Sequence, residues 1–138
     1  MVEYKILNKG EYVSLESVRM EVYGLSESSL YFIDSITSGK MLPVGVFLDN
    51  KLIGGAYISK SLKSLYIENI FIKSEYQHKG YAKGLLKYIF DNKKLFEEYF
   101  NMEFLFSKLE PNSNDIVEFY KSVGFSEPND LNVMRKRI

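Results

Sequence analysis

Six consecutive residues, Gln77-His78-Lys79-Gly80-Tyr81-Ala82, have the types and spacing to bind an anion. They lie between an apolar run, Leu65 to Ile72, and an amphipathic stretch with Leu85, Leu86, Ile89 and Phe90. A strand that feeds a glycine turn and then a helix leaves backbone N–H groups unpaired at the helix start. Those groups and the helix dipole suit a phosphate or pyrophosphate. Gly80 lets the backbone approach such a ligand with no Cβ in the way. Ala82 keeps the next turn small, and Lys79 and Lys83 place positive charge beside it. The same six residues also suit an ordinary strand–turn–helix with no ligand.

Two familiar phosphate loops are excluded. The chain contains no G-x-x-x-x-G-K-[ST], and Gly54-Gly55 sits in an apolar run without the Lys and Ser or Thr that would follow. The glycines of the turn read Gly80-x-x-x-Gly84, not the G-x-G-x-x-G of dinucleotide folds. Composition removes further chemistry. With Cys 0, there are no disulfides, thiolate nucleophiles or cysteine metal sites. A single histidine, His78, argues against a Ser–His–Asp triad and a histidine metal site, so no metal is expected. Lys+Arg and Asp+Glu are both 18, which gives no basic surplus for nucleic acid. No apolar run approaches the roughly 18–20 residues that span a membrane, and the start lacks a signal-peptide pattern, so a cytoplasmic location is expected.

The 138 residues fit one domain spanning 1–138, and 46% hydrophobic content supplies a core. Glu3 to Leu7 reads as a strand. Glu11 to Tyr23 has helical spacing and ends at Gly24. Ser26 caps a second helix through Ile36. Val44 to Leu48, the Asp49-Asn50 turn and Leu52 to Ser59 form a hairpin, and Leu65 to Ile72 completes a meander. That third strand is apolar on both faces, so it belongs near the sheet centre. A helix follows from Ala82 to about Phe90, and a helical pattern resumes from Leu95 to Phe100. Glu103 to Leu109 reads as a strand, Asn114 or Asp115 starts a helix through Ser122, and Leu131 to Arg137 is a last strand. One more short strand is expected near Phe125. The class is α/β, or α+β by stricter usage, with a mixed sheet.

Gln-x-x-Gly-x-Ala after a strand resembles the pyrophosphate motif of the GNAT superfamily, the acyl-CoA-dependent N-acyltransferases. The order of elements is similar to that family across nearly the whole chain. A second stretch adds to the likeness: Phe119-Tyr120 and Gly124-Phe125 match a family helix end in letter and spacing. Ser113 stands where the family has Asn, between Asn112 and Asn114, and Ile116 replaces a small Ala. The resemblance implies a GNAT fold with about six to seven strands, about four helices and splayed central strands.

It also implies roles. Acetyl-CoA is the expected acyl donor. The backbone of Ile70, Phe71 and Ile72 would pair with its pantetheine arm, and one of their N–H groups would polarise the thioester carbonyl. The N–H groups from Gln77 through His78, Lys79, Gly80, Tyr81 and Ala82 to Lys83 would hold the pyrophosphate, and Asn114 would contact the cofactor. Lys79 and Lys83 equally suit solvated surface positions. Tyr120 is the expected general acid, because a phenol with a pKa near 10 suits protonating a thiolate; packing at a helix end is the other use. Glu68 is the expected base, since a carboxylate in a doubly apolar strand is costly to bury. Its alternative is a structural carboxylate beside a bulge. Alternation sets Glu68 and Asn69 on opposite faces unless a bulge intervenes.

The expected activity is N-acetyltransfer to a primary amine by direct attack in a ternary complex. The acceptor is a small-molecule or peptide amine, and the protein a monomer or homodimer. Glu16, Glu21, Glu27 and Asp34, mixed with Tyr12, Tyr23, Tyr31 and Phe32, make either an acidic aromatic mouth for a cationic amine or solvated faces. The alternative function is a non-catalytic GNAT-fold module that senses acyl-CoA or binds a partner protein.

Overall fold

A computed structural model describes residues 1–8, 10–24, 29–61, 64–92, 101–105 and 113–137. It contains β1 (Val2–Ile6), α1 (Glu11–Tyr23), α2 (Ser29–Thr37), β2 (Met41–Leu48), β3 (Lys51–Ser61), β4 (Ser64–Ile72), α3 (Tyr81–Asp91), β5 (Asn101–Leu105), α4 (Ser113–Ser122) and β6 (Val133–Arg137). The strands form one sheet in chain order, β1 to β6. All neighbours are antiparallel except β4 and β5, which run parallel. The mixed α/β architecture expected from the sequence is present.

Local chemistry explains most boundaries. Asp49 and Asn50 both hold positive φ, 49° and 67°, between the paired Leu48 and Lys51. A two-residue hairpin with that geometry matches the twist of its strands, and Asn and Asp tolerate it. Gly55 lies where a Cβ would strike the Val44 carbonyl and the Leu15 side chain, so glycine lets α1 pack tightly onto the sheet. The strand expected near Phe125 does not form. There the chain runs as a loop, with the Ser126 N–H donating to Arg135 O at 2.9 Å and Phe125 buried. The expected helical pattern over Leu95–Phe100 lies outside the described residues, as does the expected strand beyond Leu105.

Helices cover both faces. Leu15, Val18 and Phe32 from α1 and α2 pack with Leu7, Met41, Tyr57 and Phe71 on one face. Leu85, Leu86 and Ile89 from α3 and Tyr120 from α4 pack with Val44, Val46, Ala56, Ile58, Leu65, Ile67 and Ile72 on the other. α1 also buries an ion pair. Arg19 donates from Nε and from one terminal nitrogen to the two oxygens of Glu16, at 2.7 and 2.8 Å. Tyr57 Oη donates to the same carboxylate at 2.9 Å, and the guanidinium lies 4.2 Å from the Phe32 ring centre. Glu16 is therefore neither part of an acidic mouth nor on a solvated face; Arg19 pulled it inward. Among the described residues, no helix is long and apolar enough to cross a membrane.

The feature that positions the site is the parting of β4 from β5. They pair only at Ser64–Asn101, Leu65–Met102 and Tyr66–Glu103. β4 runs on to Ile72 and β5 to Leu105 without further pairing between them, which opens a gap beside Ile70–Ile72.

Candidate functional site

The gap leads into a cavity of about 720 Å³ lined by Ile70, Phe71 and Ile72 from β4, by Tyr76, Gln77 and His78 from the turn, and by Gly80 to Lys83 at the helix start. Val22 and Tyr23 from α1 close one side, and Ile116 and Phe119 from α4 another.

The turn has the form that anion binding requires. A short 3-10 turn, Ser74–Tyr76, ends β4, and the Gln77 side chain donates back to Ile72 O at 2.8 Å, tying the turn to the strand. His78 and Gly80 both adopt left-handed backbone, φ 63° and 88°. For His78 that conformation costs energy, which marks a turn held in place by its surroundings. Gly80 caps α3 with its backbone alone: its carbonyl accepts from Gly84 N–H at 3.0 Å, and no side chain caps the helix. The N–H groups of Tyr81, Ala82 and Lys83 have no partner inside the helix, and these three residues line the cavity. No acidic residue stands in the first turn, and Lys79 and Lys83 are exposed beside it. A Cβ on Gly80 would touch nothing within 4 Å, so the space over the turn is open to a ligand. The chemistry of this cradle fits a pyrophosphate.

Neither the expected acid nor the expected base lines this cavity. Tyr120 is 1% exposed, packed edge-on to Phe119 and Phe125 with ring centres 5.2 Å away in each case. Phe119 lines the cavity and Tyr120 does not. Glu68 is exposed and accepts from Ser59 Oγ at 2.6 Å, also away from the lining. A bulge does intervene at Glu68. Tyr57 pairs with Asn69 and Ile58 with Ile67, so Glu68 is the extra residue. Ile67 and Ile70 therefore both serve the α3 face, and Glu68 and Asn69 together turn to the α1 face. Asn69 Nδ2 donates to the Glu68 carbonyl at 2.6 Å, and its buried Oδ1 has no hydrogen-bond donor among the described residues. Asn114 is exposed at the start of α4 and does not line the cavity, whereas Ile116 does. Asn112 lies outside the described residues.

Sequence reasoning missed Val22, Tyr76 and Phe119 as lining residues, and read Tyr23 only as part of an acceptor mouth. The Tyr23 hydroxyl donates to Ile70 O at 2.9 Å across the gap, and its ring stands edge-on to Phe71. The helical phase of α1 put Tyr23 and Arg19 four residues apart, a signal that both look toward the sheet.

Electrostatics around α1 follow from burial. Desolvation alone would raise the Glu16 carboxyl, but hydrogen bonds from Arg19, Ser29 and Tyr57 together hold it below its ordinary value. Burial, then the Glu16 charge, pushes the Tyr57 phenol far up. Among the described residues, no group of three or more His, Cys, Asp or Glu side chains is arranged to hold a metal ion.

The chain is similar in structure to several acetyltransferases of low sequence identity. The ribosomal-protein-S18-alanine N-acetyltransferase of Escherichia coli matches with TM-score 0.81 and 16% identity, over 100% of this chain and 94% of that one. The paia N-acetyltransferase of Thermoplasma acidophilum, in complex with coenzyme A, matches with TM-score 0.74 and 20% identity, over 100% and 99%. A GNAT family acetyltransferase of Elizabethkingia anophelis with acetyl-CoA bound matches with TM-score 0.73 and 15% identity, over 99% and 98%. No curated protein matches in sequence. The sequence pattern of the acetyltransferase (GNAT) domain matches residues 44–127, which takes in β2, β3, the splayed β4, the anion turn, α3 and α4. With that match over more than half its length, the chain belongs to the GNAT acetyltransferase family.

Proposed function

We propose that this protein transfers an acetyl group from acetyl-CoA to a primary amine by direct attack of the amine on the thioester in a ternary complex. The observation that carries the reading is the continuity of the cavity from the open edge of β4 to the bare N-terminus of α3. An extended arm with amides suits the first and a pyrophosphate suits the second. Gln77, His78, Lys79, Gly80, Tyr81, Ala82 and Lys83 hold the pyrophosphate end. The outward backbone groups of Ile70 and Ile72 hold the arm, Phe71 lines it with its side chain, and a gap-facing N–H supplies the oxyanion donor. Much of the rate comes from holding amine and thioester together. Glu68 takes the amine's proton through water, Tyr120 protonates the departing thiolate, and Asn114 contacts the donor at the mouth. The acceptor is a small-molecule or peptide amine. The protein works in the cytoplasm as a monomer or homodimer, without nucleic acid or membrane.

Thermal unfolding with acetyl-CoA tests this, with ATP and NAD as controls. At about 100 times its Kd a ligand adds roughly 2.7 kcal/mol, a rise of several degrees in Tm. A rise specific to acetyl-CoA, followed by CoA release with an amine, is expected. No rise at millimolar acetyl-CoA overturns the reading. The burial of Tyr120 away from the cavity favours a second one, a module that senses acyl-CoA without turnover. CoA release with any amine excludes it.

A further inference from the structure

Strand alternation decides which backbone groups of β4 look into the gap. Lys73 N–H donates to Ile53 O on β3 at 2.9 Å, so Lys73 and Phe71 turn their backbone groups toward β3. Ile70 and Ile72 turn theirs toward the gap. Both gap-facing carbonyls carry a side-chain donor, Tyr23 Oη on Ile70 O at 2.9 Å and Gln77 Nε2 on Ile72 O at 2.8 Å. Gln77 belongs to the turn that follows the strand. Tyr23 comes from 47 residues earlier and reaches over the cavity mouth from the last turn of α1. Tyr23 itself is half in solvent, at 45% exposure.

An outward-facing N–H and C=O on alternate residues is the edge to which an extended amide chain adds. Such a chain delivers its own N–H to Ile70 O, the acceptor that Tyr23 holds. We propose that Tyr23 is a place-holder for the donor: its phenol occupies the Ile70 carbonyl until a secondary-amide N–H of acetyl-CoA takes it, and the displacement releases the last turn of α1. This inference rests on acetyl-CoA being the donor. It makes the end of α1, and with it one wall of the cavity, respond to donor occupancy before an acceptor arrives.

Titration calorimetry of the wild type and Tyr23→Phe decides it, with two probes. CoA carries the amide arm; adenosine 3′,5′-bisphosphate carries phosphates and no amides. Phenylalanine keeps the ring against Phe71 and removes only the competing hydroxyl. The variant should bind CoA about threefold to tenfold more tightly, the equivalent of one ordinary hydrogen bond, and bind the bisphosphate as the wild type does. Hydrogen exchange gives the second readout. The Gly24 N–H, bonded to Met20 O at 2.8 Å, should exchange faster in the wild type when CoA binds and show no such change in the variant. Equal or weaker CoA binding by the variant overturns the proposal, because Tyr23 then stays on Ile70 or contributes to the donor. So does a Gly24 exchange rate in the wild type that ignores CoA. Failure of both probes to bind the wild type defeats the donor reading itself, a result distinct from CoA binding both proteins alike.

Discussion

The Arg19 guanidinium meets the Glu16 carboxylate with two nitrogens on two oxygens, at 2.7 and 2.8 Å, one turn apart on α1 and buried at 0% and 3% exposure. Each is the other's main compensation for leaving water, and both reach beyond their own helix. Glu16 accepts from Tyr57 on β3, and Arg19 lies over Phe32 on α2. The pair therefore fixes α1, α2 and the sheet to one another. α1 carries Val22 and Tyr23 to the cavity, so its seating sets that wall. Breaking one partner of such a pair leaves a buried charge unmatched. Glu16→Ala should cost about 3–5 kcal/mol in urea unfolding. A loss under 1 kcal/mol would show that the pair is not buried in solution.

The same carboxylate sets an acid limit. Its folded pKa lies below the ordinary 4.5, so near that pH the unfolded chain binds the proton that the folded one refuses. The contribution is whole above about pH 4.5 and falls away as pH drops through the depressed folded value. Urea midpoints should decline from pH 5 to pH 3 more steeply in the wild type than in Glu16→Gln, which has no carboxyl to titrate. Parallel declines refute the assignment.

Gly80 carries the prediction most specific to the anion cradle. Its φ of 88° strains any other residue, and a Cβ there would enter the open space above the turn. Gly80→Val should lose about 1–2 kcal/mol of stability from backbone strain. Its affinity for CoA should fall at least tenfold while the fold persists by circular dichroism. Unchanged CoA affinity would move the pyrophosphate to another site.

The sequence made the cradle and the central strand legible for physical reasons, while the splay of that strand came only with the family resemblance. Glycine at 80 permits the left-handed turn found there, and a strand apolar on both faces belongs near the sheet centre, so Leu65 to Ile72 and the turn after it declare themselves in one dimension. Side-chain reach does not. The bulge at Glu68 arises from how β3 and β4 pair, and no residue within the bulge announces it. Phe119 and Tyr120 read as one motif, yet packing sends the first to the cavity and the second to the core. Glu16 looked like one acid among several until Arg19, three residues on, was seen to share its burial. Tyr23 met Ile70 through a contact between residues 47 apart, which no local spacing encodes.

Tyr120 tests whether a buried phenol serves the reaction. Tyr120→Phe keeps the edge-on packing against Phe119 and Phe125 and removes only the hydroxyl. If that hydroxyl protonates the leaving thiolate, kcat should fall about 10²–10⁴-fold, the usual span for general acid catalysis. The acetyl-CoA-induced rise in Tm should stay as in the wild type, because the donor's arm and pyrophosphate are held elsewhere. A variant with unchanged kcat makes Tyr120 a packing residue alone.

Glu68 carries the matching prediction for the base. Its exposed carboxylate accepts from Ser59 at 2.6 Å, and glutamine keeps that acceptor while losing the charge. Glu68→Gln should leave Tm within a degree or two, since exposed polar changes shift stability by under about 0.5 kcal/mol. It should lower kcat at pH 7 by about a hundredfold and recover part of the loss as pH rises and more of the amine is already deprotonated. Equal kcat for the two proteins across pH 6 to 9 would leave the carboxylate a structural one, holding Ser59 beside the bulge.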